Sequence, residues 1–257
     1  MRVKVSIILL AFAVMLSSFA HANGTLSDNI RIKSDILGYD LQYRVYVPET
    51  VNPNDKLPTL YITDGQSYAK KGRMVRALDR GIADGRIEPV IAIFVDSRDP
   101  DDLETNRRND QFFCKKDYVD FFTTELVPFI DQTYHTSSDR NDRVILGVSF
   151  GGFNAGCFGL MATPYFGNIA MNSPAHSQFV TFLKKQYKKF DKKNLKIYLS
   201  VGNQQDNRLA VRSLRLTLKK KGYDLTYTQN DHGHNWNNWK PLLPEVLETF
   251  FAVEKVD

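Results

Sequence analysis

The chain has 257 residues, with 34 Lys and Arg against 29 Asp and Glu and a formal charge of +5. That is enough for one large domain with a sizeable core, and no repeat, low-complexity segment or linker divides it. The mild charge gives no nucleic-acid face, since the basic runs at 184–189 and 219–221 fit solvated helix faces or ends and a general bias toward anionic ligands.

The first residues carry Arg2 and Lys4, then an uncharged run over 5–18, then Phe19-Ala20-His21-Ala22. A basic start, an apolar stretch and a small-x-small end predict a signal peptide, 1–22, cleaved after Ala22. The run is short for a span and no cysteine follows the cut to take a lipid, so no stable membrane insertion is expected. The mature chain, 23–257, is then periplasmic or secreted, with its charge lowered from +5 to +3 by loss of Arg2 and Lys4.

The next segments alternate. A β-pair is expected at 29–37 and 39–47, joined at Gly38, the second strand alternating through Leu41, Tyr43, Val45 and Val47. Apolar runs at 59–63, 90–95, 144–146, 169–171, 197–201 and 225–228 follow, separated by segments of helical length. Helices are expected at 74–83, 118–133 with an interruption at Pro128, 153–161, 177–189, 209–221 and 242–251. Continuous apolar strands alternating with helices predict a mostly parallel central sheet with an antiparallel N-terminal pair and helices on both faces. Cys114 and Cys157 fit no zinc spacing, and in an exported chain they are able to form one disulfide.

Gly147-Val148-Ser149-Phe150-Gly151-Gly152 sits between the 144–146 strand and the 153–161 helix. This is the setting of a G-x-S-x-G elbow, in which a strained turn exposes a serine and the next N–H points at a developing oxyanion. Ser149 is therefore the candidate nucleophile and Phe150 N–H the first oxyanion donor. The second donor is expected from Asp64-Gly65-Gln66 after the 59–63 strand, at Gly65 or Gln66.

A serine hydroxyl needs a base and the base an orienting acid. Asp231-His232-Gly233-His234-Asn235-Trp236-Asn237-Asn238-Trp239 follows the last strand, on the edge where Ser149 lies. His234 is the candidate base, because Gly233 allows a close turn and Trp236 and Trp239 can wall the imidazole; His232 is the reserve. Asp206 follows the 197–201 strand in the order Ser, Asp, His and is the candidate acid, with a helix N-cap as its other reading. Asp231, or a Ser–His dyad, stands as the alternative.

Taken together, Thr63-Asp64-Gly65-Gln66, Glu125-Leu126-Val127-Pro128-Phe129-Ile130, the elbow at 147–152 and Gly233-His234-Asn235-Trp236-Asn237-Asn238-Trp239 resemble the putative-esterase family of α/β-hydrolases. That family includes enterochelin esterases, feruloyl esterases and S-formylglutathione hydrolase, and the resemblance runs from about Ile30 to Phe251. It implies an α/β-hydrolase fold and a serine esterase without metal or cofactor, in which Ser149 and His234 match nucleophile and base. An exported chain looks most like periplasmic siderophore-trilactone esterases. It departs from cytoplasmic enterochelin esterases, which carry an additional N-terminal β domain.

The expected partner is a small-molecule ester, and no pattern specifies an oligomer. The loop 96–111 carries Arg98, Arg107 and Arg108; with Tyr68, Trp236 and Trp239 these predict a pocket for a large, anionic, aromatic ester, Arg107, Arg108, Trp236 and Trp239 being the substrate contacts. A feruloyl or acetyl ester, an acyl transfer on the same residues, and a non-catalytic binding protein of the same fold are the competing readings.

Overall fold

Alternation produces the first pairing. In the computed structural model, which describes residues 24–49 and 55–253, β1 (Thr25–Leu26) and β2 (Ile30–Ser34) share one edge of β3 (Tyr39–Val47). Both run antiparallel to it, Thr25 opposite Val47 and Ile30 opposite Tyr43. The sequence reading has no counterpart of β1, because two residues carry no alternation to read. The expected signal peptide lies outside the described residues.

Beyond β3 the pattern changes to continuous burial. Every residue of β4 (Thr59–Thr63), β5 (Ile91–Asp96), β6 (Arg143–Val148) and β7 (Asn168–Asn172) is buried, and β8 (Lys196–Gly202) is buried after its first residue. Strands with two apolar faces need cover on both sides, which is why helices intervene between them. β9 (Asp224–Asn230) completes the sheet, whose order is β1-β3-β5-β4-β6-β7-β8-β9, with β2 beside β1 on β3. The pairing is antiparallel from β3 to β5 and parallel from there to β9.

The main helices are α1 (Met74–Ala83), α2 (Phe150–Met161), α3 (Ser177–Lys189), α4 (Arg208–Lys220) and α5 (Leu243–Phe251). Helices α1 and α5 bury Met74, Leu78, Leu243 and Val246 against Leu60, Ile62 and Leu146 on one face. On the other face α2, α3, α4 and the stretch 116–133 bury Phe158, Leu183, Leu214 and Phe122 against Ile145, Ile169 and Ile197. Each such side chain contributes about 1.5–3 kcal/mol relative to exposure. A two-layer cover of this kind on a mostly parallel sheet is what the expected α/β-hydrolase fold requires.

The interruption expected at Pro128 takes a specific form. An α-turn Lys116–Asp120 passes into a π-helical turn, Phe121–Leu126, before α-geometry resumes at Val127–Thr133 with proline in its first turn. Proline has no N–H for the carbonyl four residues back, and widening the preceding turn accommodates the loss. The Thr124 hydroxyl donates to the Asp120 carbonyl at 2.9 Å within that turn. Cys114 and Cys157 are joined in a disulfide that ties the loop before this stretch to α2, across 43 residues of sequence. Cross-links of this span typically stabilise by about 2–4 kcal/mol.

Candidate active site

Ser149 stands between β6 and α2 with φ +57° and ψ −122°, a conformation that costs an L-residue of order 1–3 kcal/mol. Backbone bonds hold it there: its N–H donates to the Asn172 carbonyl at 3.0 Å, and its carbonyl accepts from Ala175 and Phe153 N–H at 2.9 and 3.0 Å. The turn is so tight that a Cβ at Gly147 would lie 2.1 Å from the Gly151 carbonyl. Only glycine fits that position.

The loop after β9 brings His234 to this serine. His234 Nε2 lies 2.8 Å from Ser149 Oγ, and Nδ1 lies 3.0 Å from Asp206 Oδ1. An ionised carboxylate only accepts, so the proton between His234 and Asp206 sits on Nδ1 and leaves Nε2 to accept from the serine hydroxyl. The three side chains form one hydrogen-bonded line along which a proton on Ser149 Oγ can pass to His234.

Asp206 is not a helix cap; Asn207 occupies that position, and the Asp206 side chain is fully enclosed. Besides His234 it accepts from Ser173 Oγ at 2.7 Å, Gly202 N–H at 2.9 Å, Asn207 N–H at 2.7 Å and Asn238 Nδ2 at 3.3 Å. Burial pushes this carboxyl upward, but the hydrogen bonds from His234, Ser173, Gly202 and Asn207 outweigh it and hold it below the usual carboxylate range. Asp231 is exposed and bonded to the Gln204 side chain instead, and His232 is exposed, with its carbonyl accepting from Gln204 N–H.

Sequence reasoning missed Ser173 and Asn238. Ser173 is fully buried at φ +43° just past β7, where it also accepts from the Trp239 indole N–H at 2.9 Å. The signal for it was its place beyond β7, on the edge that bears Ser149; nothing in its neighbours marked its role. The Trp239 ring meets His234 edge-on at 5.0 Å, so it walls the imidazole as expected, but at 7% exposure it is enclosed and offers little surface to a substrate. Trp236 is half-buried against Trp239 and Tyr68. Tyr68, expected in the pocket, is a core residue with no exposed surface.

Gly65 and Gln66 open a short helical turn after Asp64, which takes φ +56°. Their N–H groups, like that of Phe150, stand at a helix start where no intrahelical acceptor exists. A Cβ on Gly65 would lie 2.3 Å from the Phe94 backbone, so the turn is pressed against β5. Asp64 approaches the elbow, its Oδ2 3.2 Å from where a Gly151 Cβ would be. Burial raises its carboxyl above the usual range against the opposing pull of Arg108, whose Nε lies 2.8 Å from Oδ1.

The three loop arginines part company. Arg98 is bidentate on Asp96, and Arg107 is paired with Asp99 and stacked 4.5 Å over Tyr39, so both have partners within the fold. Arg108 lies 5.6 Å over the ring of Phe150, the residue after the serine. That ring is flanked by Phe113, Phe179 and His176 at 5.0, 5.5 and 5.7 Å. His176, whose place after β7 reads most simply as a helix start and also as a pocket-lining position, is the N-cap of α3, whereas Phe113 and Phe179, from a loop and from α3, were not expected.

Against known proteins, residues 34–250 match the family model described as putative esterase. An uncharacterised protein of Bacillus subtilis, YjcH, is 28% identical over 89% of this chain and 98% of its own length. An endo-1,4-beta-xylanase/feruloyl esterase of Xylanibacter ruminicola is 24% identical over 77% of this chain, a match that spans 27% of that longer protein. Among solved structures, the enterobactin esterase of Shigella flexneri superposes with a TM-score of 0.77 at 22% identity, covering 87% of this chain and 58% of that one.

Proposed function

The chain belongs to the putative-esterase family, and on that premise we propose that it is an exported serine carboxylic-ester hydrolase working through an acyl-enzyme. One observation carries the reading: the unbroken line from Ser149 Oγ through His234 to Asp206, at 2.8 and 3.0 Å. His234 takes the serine proton as Ser149 attacks the ester carbonyl, then returns it to the leaving alcohol. The N–H groups of Phe150 and of Gly65 or Gln66 hold the oxyanion, and water, activated by the same histidine, frees the acid. Asp206 keeps the imidazole in the tautomer that accepts from serine. Export rests on the sequence pattern of residues 1–22.

Asp206→Asn is expected to lower kcat by about 10³–10⁴-fold, because an amide at that site reverses the proton placement on His234. Ser173→Ala should cost less, about tenfold or more, by removing one hydrogen bond to a charged group. Steady-state kinetics on p-nitrophenyl acetate measures both. A loss below tenfold for Asp206→Asn assigns the orienting role elsewhere.

For the substrate, Arg108 beside the Phe150 ring supports a large anionic aromatic ester, and a catechol-siderophore trilactone is our leading choice. Phe113 and Phe179 around Phe150 favour a second reading, a feruloyl ester, in which a ring meets apolar walls without need of a cation. Turnover of a trilactone, methyl ferulate and p-nitrophenyl acetate, compared as kcat/KM, separates them. The trilactone is expected to lead, and Arg108→Glu to weaken it while sparing the acetate. An inert trilactone with rapid ferulate turnover selects the second reading.

A further inference from the structure

Helices α3 and α4 pack side by side on the flank of the sheet. Helix α3 ends with four lysines in its last six residues, and α4 carries three arginines and two lysines; neither contains an Asp or Glu. The other 25 Lys and Arg of the chain are outnumbered by its 29 Asp and Glu, so these two helices hold the positive excess. The nearest acids in sequence lie beyond the helix ends, at Asp191, Asp206 and Asp224, and Asp206 is enclosed in the candidate site.

Partners of these cations within the fold are neutral. Lys184 bonds the Ser213 hydroxyl, Arg212 bonds the Gln229 amide oxygen, and Arg215 lies over the Tyr227 ring. Among the charges stand apolar side chains that the fold leaves largely exposed. Leu209 is 76% exposed and Leu216 64%, while Phe182 and Phe190 are 41% and 47% exposed. Along α4 the sequence Leu209, Arg212, Leu216, Lys220 forms one outward stripe, opposite the buried Val211, Leu214 and Leu218. A groove between the helices joins Lys184 and Lys188 to Leu216 and Lys220.

We propose that the α3–α4 flank is a docking surface for an anionic phospholipid bilayer. Cations meet lipid phosphates while the interleaved Leu and Phe side chains enter the acyl boundary, and both components of the stripe are used. A soluble polyanion would engage the charges alone and leave the leucines in water. Among the described residues no helix is long and apolar enough to cross a membrane. The N-terminal ends of both helices reach the edge that bears Ser149: Ala175 N–H bonds its carbonyl, and the Asn207 side chain bonds the Ala175 carbonyl.

The test is co-sedimentation with phosphatidylcholine vesicles, alone or with about one-third phosphatidylglycerol, at low and high salt. Binding is expected only with the anionic lipid and should weaken with salt. Lys188→Glu and Lys220→Glu should each lower partitioning at least about fivefold. Leu209→Ser with Leu216→Ser should also lower it, while thermal unfolding and hydrolysis of a soluble ester stay as in the parent. Equal sedimentation with both vesicle types overturns the proposal. So does full vesicle binding by the double leucine variant, which would make the flank a plain polyanion site.

Discussion

Replacing Ser149 with alanine is expected to abolish hydrolysis of short p-nitrophenyl esters, a loss of about 10⁴–10⁶-fold in kcat, with the fold intact. The position is strained by its backbone, and alanine has the same Cβ as serine, so the conformational cost at φ +57° does not change. The bonds that impose the turn, from Ser149 N–H to the Asn172 carbonyl and from Ala175 and Phe153 N–H to the Ser149 carbonyl, are main-chain and survive the substitution. Only Oγ is lost, and with it the atom that meets His234. Thermal unfolding of the variant within a few degrees of the parent, together with vanished turnover, is the expected pair of results. A variant that keeps near-parental turnover removes Ser149 from the chemistry.

Loss of the base should be nearly as damaging. His234→Ala is expected to lower kcat by a similar order, because no other described side chain bridges Ser149 Oγ and Asp206. His232→Ala should stay close to the parent: its side chain is exposed, and the contact it makes to Gln204 is through the carbonyl, which alanine keeps. Parallel kinetics and unfolding curves for the two variants measure the contrast. The reverse ranking would move the base to His232.

Local chemistry makes much of this legible in the sequence. The glycines of the elbow signalled a turn that only they permit, and the apolar runs signalled strands buried on both faces. His234 stood out because Gly233 and two tryptophans framed it. Sheet order was not legible: β5 lies between β3 and β4, which depends on crossovers and not on any residue pattern. Ser173 and Asn238 escaped for a related reason, since the pocket around Asp206 is assembled from three separate segments that converge only in space. Residue type also misled where pairing decides role. The contacts of Arg107 with Asp99 and Tyr39 are not legible from residue type, and Tyr68, expected as a pocket wall, fills the core.

The most direct measurement is covalent labelling of the folded protein with a fluorophosphonate, read by intact mass and peptide mapping. The phosphonate reacts only with a serine whose proton a neighbouring base can take, and so it reports the pairing of Ser149 with His234 without requiring the natural substrate. One adduct per chain is expected, located on Ser149, absent from Ser149→Ala and strongly slowed in His234→Ala. A folded protein that takes no label, or takes it at another serine, would contradict the account.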